Sequence, residues 1–529
     1  MEKRARHASV DSTGVVVAAR MGQIDRATRE VRDSARQAIG QRGARERQTR
    51  LWRMADGGVV VMKRVTPVEQ RPPVSEQMLE SSKAPRIDVS LGTSPETVRT
   101  LQTALQTKAK AEPAARFYSL WDKVCREDVL AEAYRRCRAN RGAPGVDGER
   151  FEDIDEHRQA WLEGLQQELR QQRYVPQSLL RVWIPKASGG ERPLGIPTIR
   201  DRVVQMAVLL VIGPIFDVDL LPWQYGFRPG LDAKMALRRI HFGIADRGAR
   251  EVVDADLSDY FNTIPHGDLM RCVARRIADG TVLAVIRSWL DAPVIERTPQ
   301  GVRRTTEAKD RQRGTPQGGV ISPLLANLYF RRFMLAWYRQ GYARRLGAEV
   351  VNYADDFVIL CQPGGGAQAM EAMQHLMSKL GLTVNATKTR LVRLPEETFD
   401  FLGYTVGRLY GRGGRPYWGT RPSRKAIKRL LREVHNATTS RWNALDVRTR
   451  IERLNPLLRG WAGYFSQGPV GRPYRLIDKY VARRLRIWLM RRQGRRGTGY
   501  RQYSDQFLYE TLGLIRLVPG RAAMPNAKV

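Results

Sequence analysis

Three carboxylates set the terms on which this sequence can be read. Asp355 and Asp356 sit side by side in VVNYADDFVIL (350–360), between two apolar, β-branched runs. The pattern predicts two short strands joined by a tight turn, with both carboxylates at its tip. Taken alone, such a pair is more often a solvated turn. An upstream segment, EVVDADLSDYFNTI (251–264), shifts the balance, because its apolar run ends in Asp254 and Asp256 and then carries Tyr260 and Phe261. Like charges gathered in apolar surroundings demand a cation. Neither segment contains histidine or cysteine, so Asp256, Asp355 and Asp356 offer an all-oxygen donor set suited to Mg²⁺, with Mn²⁺ as a substitute. Two such ions among three carboxylates suit in-line phosphoryl transfer.

Cations for a polyphosphate are at hand. In LLRVWIPKASGGERPLGIPT (179–198) a strand runs into a Gly-Gly turn flanked by Lys186 and Arg192. A solvated basic hairpin is the bland reading; over a triphosphate the two cations would neutralise its oxygens. A triphosphate clamp belongs to a polymerase, since a nuclease has no use for one.

The elements that must position these groups follow from periodicity and turn chemistry. Amphipathic helical spacing begins near Phe117, and NRGAPGVDG (140–148) forces a loop. Helices are expected over 160–169, 232–245, 269–277, 282–290 and 368–380. YGFRPG (225–230), with Arg228, is a rigid loop. In RGTPQGGVISPLLANLYF (313–330) a glycine-dense loop holding Gln317 leads into a helix started by Ser322-Pro323. Lys388 is expected on an exposed turn, and FDFLGYTV (399–406) alternates as a strand with Gly403 where a neighbouring backbone presses close. From 421 to 500 the pattern becomes helical, with 21 Lys+Arg against 4 Asp+Glu, a net +17. There Ile477, Tyr480, Val481, Leu485, Trp488 and Leu489 form an apolar stripe, with Lys479, Arg483 and Arg486 off it, a natural rail for a phosphate backbone.

The whole chain agrees with such a partner. Its 529 residues imply several domains, and a formal net charge of +36 points to a polyanion, nucleic acid before an anionic membrane surface. No apolar run is long enough to span a bilayer. Four scattered cysteines fit a reducing cytoplasm, and Glu2 and Asp11 argue against an organelle transit peptide. Residues 1–112, rich in Arg, Ser, Gln and Pro, are expected to be a disordered or partner-ordered basic extension, with a basic helix conceivable over 24–39.

In order and spacing the motifs resemble the group II intron-encoded reverse transcriptases over about 140–517. YADD (353–356) looks like their catalytic box, DADLSDYF (254–261) like their first metal-binding strand, and FDFLGYTV like their primer grip. The resemblance implies an α+β right-hand polymerase: fingers with an N-terminal loop over 113–250, an antiparallel palm over 251–410, and an all-α thumb or maturase domain over 421–500. A tail over 501–529 would follow, without the CxxC pairs of a zinc-containing HNH endonuclease. It also implies dNTP contacts by Lys186, Arg192, Phe261, Gln317 and Lys388, with Phe261 as the gate against a ribose 2′-hydroxyl. Tyr353, Gly403 and Arg228 would meet template and primer. RLNPLLRGWAGYFSQG (453–468) is similar to the maturase signature, which implies intron RNA bound by Arg459, Lys479, Arg483 and Arg486, while Leu454, Leu457, Leu458 and Trp461 have core spacing. The implied partners are group II intron RNA in a ribonucleoprotein, an RNA template with a DNA primer, and a DNA target in a bacterial, nucleoid-associated setting. One departure is Asn262, where the family usually has aspartate. The alternatives are a polymerase-inactive splicing factor that binds intron RNA and a domesticated relative in host defence.

Overall fold

Strands VVNYADDFVILC and EVVDA carry apolar residues on consecutive positions, which a sheet accepts only when both its faces are covered. The computed structural model describes residues 95–140, 142–185, 191–439 and 446–518. The conceivable helix at 24–39 lies outside them. The strands in chain order are β1 (Leu179–Pro185), β2 (Glu191–Ile196), β3 (Glu251–Ala255), β4 (Val294–Thr298), β5 (Gly301–Thr305), β6 (Glu349–Tyr353), β7 (Asp356–Cys361), β8 (Arg390–Arg393), β9 (Thr398–Phe401), β10 (Tyr404–Tyr410) and β11 (Pro416–Pro422).

The palm sheet has the order β6-β7-β3-β8 and is antiparallel throughout. Because side chains alternate, Val253, Val350, Phe357 and Ile359 enter one core, and Val252, Val351, Val358, Leu360 and Val392 enter another. The first core holds the buried helix Ile199–Asp217, the helix Ser322–Arg339 that follows the glycine-dense loop, and Gly366–Lys379. The second holds helix Ala233–Ala245, the β11-β10-β9 sheet and the three C-terminal helices Arg424–Ala437, Val447–Tyr464 and Gly471–Arg492. Leu454, Leu458 and Trp461 are buried there and Leu457 partly so, as their spacing implied. The chain thus forms an α+β right hand in which palm and helical thumb share one core.

Two boundaries differ from expectation. Residues 294–305, expected within the palm, form the β4–β5 hairpin; β4 pairs in parallel with β1, so the fingers sheet runs β2-β1-β4-β5. Its strands are short and charged, which hid their alternation. Order also begins earlier than 112. The helix Pro95–Ala111 buries Val98, Leu105 and Ala109 and packs on helix Ile199–Asp217, where Gln102 Nε2 donates to Leu210 O at 2.9 Å. Residues 95–111 therefore belong to the folded body and not to an extension; a polar composition concealed their i, i+3, i+4 apolar row.

If this helix is part of the cooperative unit, Leu105→Ala will destabilise the protein by about 2–3 kcal/mol. Chemical denaturation followed by tryptophan fluorescence checks this; an unchanged midpoint refutes it.

Candidate active site

The β6–β7 hairpin turns on two residues, Ala354 and Asp355, with Tyr353 opposite Asp356. Ala354 is buried and left-handed (φ +61°), where such turns favour glycine. A Cβ there costs about 1–2 kcal/mol, so the turn needs outside support. Asn352, fully buried, supplies it: Nδ2 donates to Ala354 O at 2.7 Å. The Asn352 backbone bonds Trp223 O (3.0 Å) and Tyr225 N (2.9 Å). The YGFRPG loop then lies against the turn so tightly that a Cβ on Gly226 would fall 2.4 Å from Ala354 N. Asn327 Nδ2 donates to Gly226 O at 2.7 Å, and Gln224 Nε2 donates to Asn327 O at 3.0 Å. Three buried amides thereby fix the backbone beneath the two carboxylates.

Asp256 arrives from the neighbouring strand. The last β3–β7 pair is Ala255 opposite Phe357, so one further step places Asp256 opposite Asp356. The turn before β8 braces it: Asn385 N donates to Asp256 O at 2.8 Å, and Asp256 N donates to Thr389 Oγ1 at 3.2 Å. Lys388 Nζ, on the same turn and exposed, donates to Asp256 Oδ2 at 3.0 Å. Asp254, on the same side of β3, faces Arg390 at 3.5 Å.

These charges act on one another. The Asp356 carboxyl is pushed up to about 6, first by desolvation and then by Asp355, Asp256 and Asp254, with Lys388 opposing. Its side chain is nonetheless open to solvent. Both facts fit a carboxylate wet on one side and surrounded by protein on the others. Among the described residues no three carboxylates already enclose an ion-sized point. Asp256 is engaged by Lys388 instead, and that ammonium occupies the place of a cation. The donor set still fits a hard divalent ion: three carboxylates, no softer ligand, and a like-charge repulsion that a bound cation relieves.

Beside these carboxylates, the glycine-dense loop joins palm to fingers. Thr315 N donates to Phe261 O at 2.7 Å, and Gly195 N of β2 donates to Gln317 O at 2.8 Å. Phe261 and Gln317 are thus brought to one junction, Phe261 half-buried with its ring edge-on to Tyr260 at 5.7 Å. A cleft of about 470 Å³ opens there between the fingers sheet and the loop, lined in part by Asn262, Thr315 and Gln317. Asn262 Nδ2 donates to Asp259 Oδ1 at 2.8 Å and so braces the turn that carries Phe261. Arg192 is exposed on β2; Lys186 lies outside the described residues. Tyr353 is half-buried at the end of β6. Gly403 occupies the β9–β10 turn with φ +78°, where a Cβ would meet the Phe465 ring at 3.1 Å, so the close neighbour is a thumb side chain.

Two expected nucleic-acid contacts are corrected. The Arg228 guanidinium is spent within the protein, Nε on Asp217 Oδ1 (2.8 Å), Nη1 on Leu221 O and Gln224 O (2.9 Å each) and Nη2 on Asp217 O (3.1 Å). It pins the loop with four of its five N–H groups and is largely buried there. Arg486 is buried under the C-terminal tail, Nε donating to Tyr503 O at 2.7 Å, Nη2 meeting Asp505, and the guanidinium stacked on Tyr500 at 4.3 Å. Arg459, Lys479 and Arg483 are exposed. The supporting amides Gln224, Asn327 and Asn352 went unread, although a lone polar residue inside an apolar run marked both Asn352 and Asn327.

Comparison with known proteins gives the following. The profile described as reverse transcriptase (RNA-dependent DNA polymerase) matches residues 184–406, and that of the group II intron maturase-specific domain matches 427–504. Protein YkfC of Escherichia coli (strain K12) is 32% identical over 351 residues, which cover 59% of this chain and 89% of that one. An uncharacterized 91 kDa protein in a cob intron of Schizosaccharomyces pombe is 25% identical, over 65% of this chain and 50% of its own. The group II intron-encoded protein LtrA of Lactococcus lactis subsp. cremoris is 32% identical over 40% of this chain and 34% of its own. The chain thus spans half of the second relative and a third of the third.

The raised Asp356 has a consequence for stability. A carboxyl whose folded value exceeds its ordinary one favours folding most below that ordinary value, and the contribution is lost as pH rises through about 6. Without divalent cations, Asp356→Asn will therefore melt roughly 1–2 °C above wild type at neutral pH and level with it near pH 4. Thermal melts in chelator across that range check the sign; a variant that melts lower at neutral pH refutes it.

Proposed function

The chain belongs to the group II intron-encoded reverse transcriptase and maturase family, and on that premise we propose that it copies RNA into DNA while its basic C-terminal helices hold intron RNA. The observation that carries the polymerase half is the placement of Asp256 opposite Asp356, next to Asp355, at the sheet end that adjoins the Phe261–Gln317 junction. Divalent ions bound there, Mg²⁺ by preference and Mn²⁺ as a substitute, would supply the acidity and charge neutralisation that phosphoryl transfer from a dNTP requires.

The chain's own residues do the rest. Asp256, Asp355 and Asp356 would hold the cations. Lys388, now on Asp256, would be available to an incoming triphosphate if a cation took that carboxylate. Arg192, exposed on β2, would be a further cation for it, as the resemblance also implies for Lys186. Gln317 steadies nucleotide and template from the loop, and the Phe261 ring closes the space a 2′-hydroxyl would need. Tyr353 and the Gly403 turn brace the primer end. On this reading the fingers take 113–250, the palm 251–410 and the thumb 421–500, with helix 95–111 and the β4–β5 hairpin added to the fingers side.

For the maturase half, Arg459, Lys479 and Arg483 present exposed cations along the thumb, where phosphates of the intron RNA would replace counter-ions. Binding of a DNA target and association with the bacterial nucleoid extend the same electrostatics. Among the described residues no helix is long and apolar enough to cross a membrane.

Primer extension on an RNA template with dNTPs decides the polymerase reading. Wild type is expected to extend at least about a thousandfold faster than Asp355→Ala. If the two are equal, the chain is an RNA binder without polymerase activity. Phe261→Ala is expected to relax exclusion of rNTPs by about tenfold or more; unchanged discrimination would remove Phe261 from the gate.

A further inference from the structure

A buried histidine stands behind the nucleotide loop. His266 opens the helix His266–Ala274 and is fully inaccessible, yet its ring touches the loop directly: Nε2 lies 2.7 Å from Gly314 O. A carbonyl only accepts, so Nε2 carries the proton and donates. Burial pulls the ring toward its neutral form, against the pull of Gly314 and Asp291. Asp291 Oδ1 is 3.4 Å from Nδ1, too long for a firm bond, and the carboxylate is held by Arg287 Nε at 2.8 Å. Asp291 and Arg287 are the charged groups facing the ring; Arg313 on the loop turns away to Thr263 O (3.2 Å) and Gly381 O (3.0 Å).

The backbone around the ring closes the same joint. His266 N donates to Gln312 O at 2.8 Å, Gly314 N to Ile264 O at 2.9 Å, and Thr315 N to Phe261 O at 2.7 Å. Pro265 and Arg313 form a β-bridge. Thus residues 312–315 are zipped to 261–266, with Gln317 two residues beyond. Apart from the exposed Arg313 Nη1 on Thr263 O, the other bonds named in this zipper are backbone to backbone, and the imidazole supplies a buried side-chain bond at its centre.

We propose that His266 is a positioning residue for nucleotide binding, holding the 313–317 loop through Gly314 so that Gln317 and Phe261 keep a fixed spacing. The proposal rests on the polymerase reading for the role of that loop, and the test separates the two. A glutamine at 266 can place its Nε2 donor where the imidazole has one; an asparagine falls short. Loss of a preset loop raises KM for dNTP and leaves turnover at saturation largely unchanged.

With primer–template saturating, His266→Asn is expected to raise KM for dNTP about tenfold with kcat within about twofold, while His266→Gln stays within about threefold of wild type. Asparagine and glutamine variants that behave alike, or a fall confined to kcat, overturn the proposal. Wild type that fails to extend a primer instead sinks the polymerase reading. Hydrogen exchange is independent of activity: the Gly314 and Thr315 amides are expected to be protected in wild type and in His266→Gln, and to exchange at least about tenfold faster in His266→Asn. Equal protection in all three overturns the positioning role, and a wild type unprotected at both amides does so without any variant.

Discussion

Two adjacent carboxylates on a two-residue turn repel each other, and nothing in the turn itself holds them. The structure answers with amides from elsewhere in the chain. Asn352 bonds the left-handed Ala354 carbonyl, Gly226 lets a second loop touch the turn's backbone, and Asn327 and Gln224 secure that loop. Each donor and acceptor named is buried, so removing one partner would leave the other without water. The position of Asp355 and Asp356 is therefore set by uncharged groups, and the carboxylates are left to interact with each other, Asp256 and Lys388.

The same economy governs the surrounding architecture. A four-stranded sheet that buries both faces has no wet side on which to place chemistry, so the chemistry sits at its end. The β3–β7 register brings Asp256 to that end, and the loop around Gly314 ties the fingers to it through Gly195. Each face of the palm sheet shares an apolar core with a neighbour, the fingers helix Ile199–Asp217 on one side and the thumb helices on the other. Hydrogen bonds at the Gly314 loop add to the first. The exposed thumb cations Arg459, Lys479 and Arg483 add positive charge to this frame, while buried Arg486 is part of it.

The residues that touch solvent or substrate were easier to read from the sequence than those that touch each other. The YADD hairpin, the DADLSDYF strand and the helix after Ser322-Pro323 follow from local alternation and turn chemistry. Arg228 and Arg486 misled for one reason: a guanidinium in a loop or off a helical stripe looks free until its partners are known. Those partners were Asp217 and the carbonyls around it in one case, and a tail some twenty residues onward in the other. The helix at 95–111 and the β4–β5 hairpin were hidden by their polar composition, since only a narrow row of each is buried. His266 carries no sequence signal of its own.

A sheet cored on both sides also decides what this chain can lose. Asp256 and Asp355 lie outside both apolar cores, so their side chains can be exchanged with the scaffold intact. The thumb is different: its buried residues continue the core that helix Ala233–Ala245 forms against β6 and β7. The carboxylates at the sheet end and the residues that keep the fold are thus separate sets.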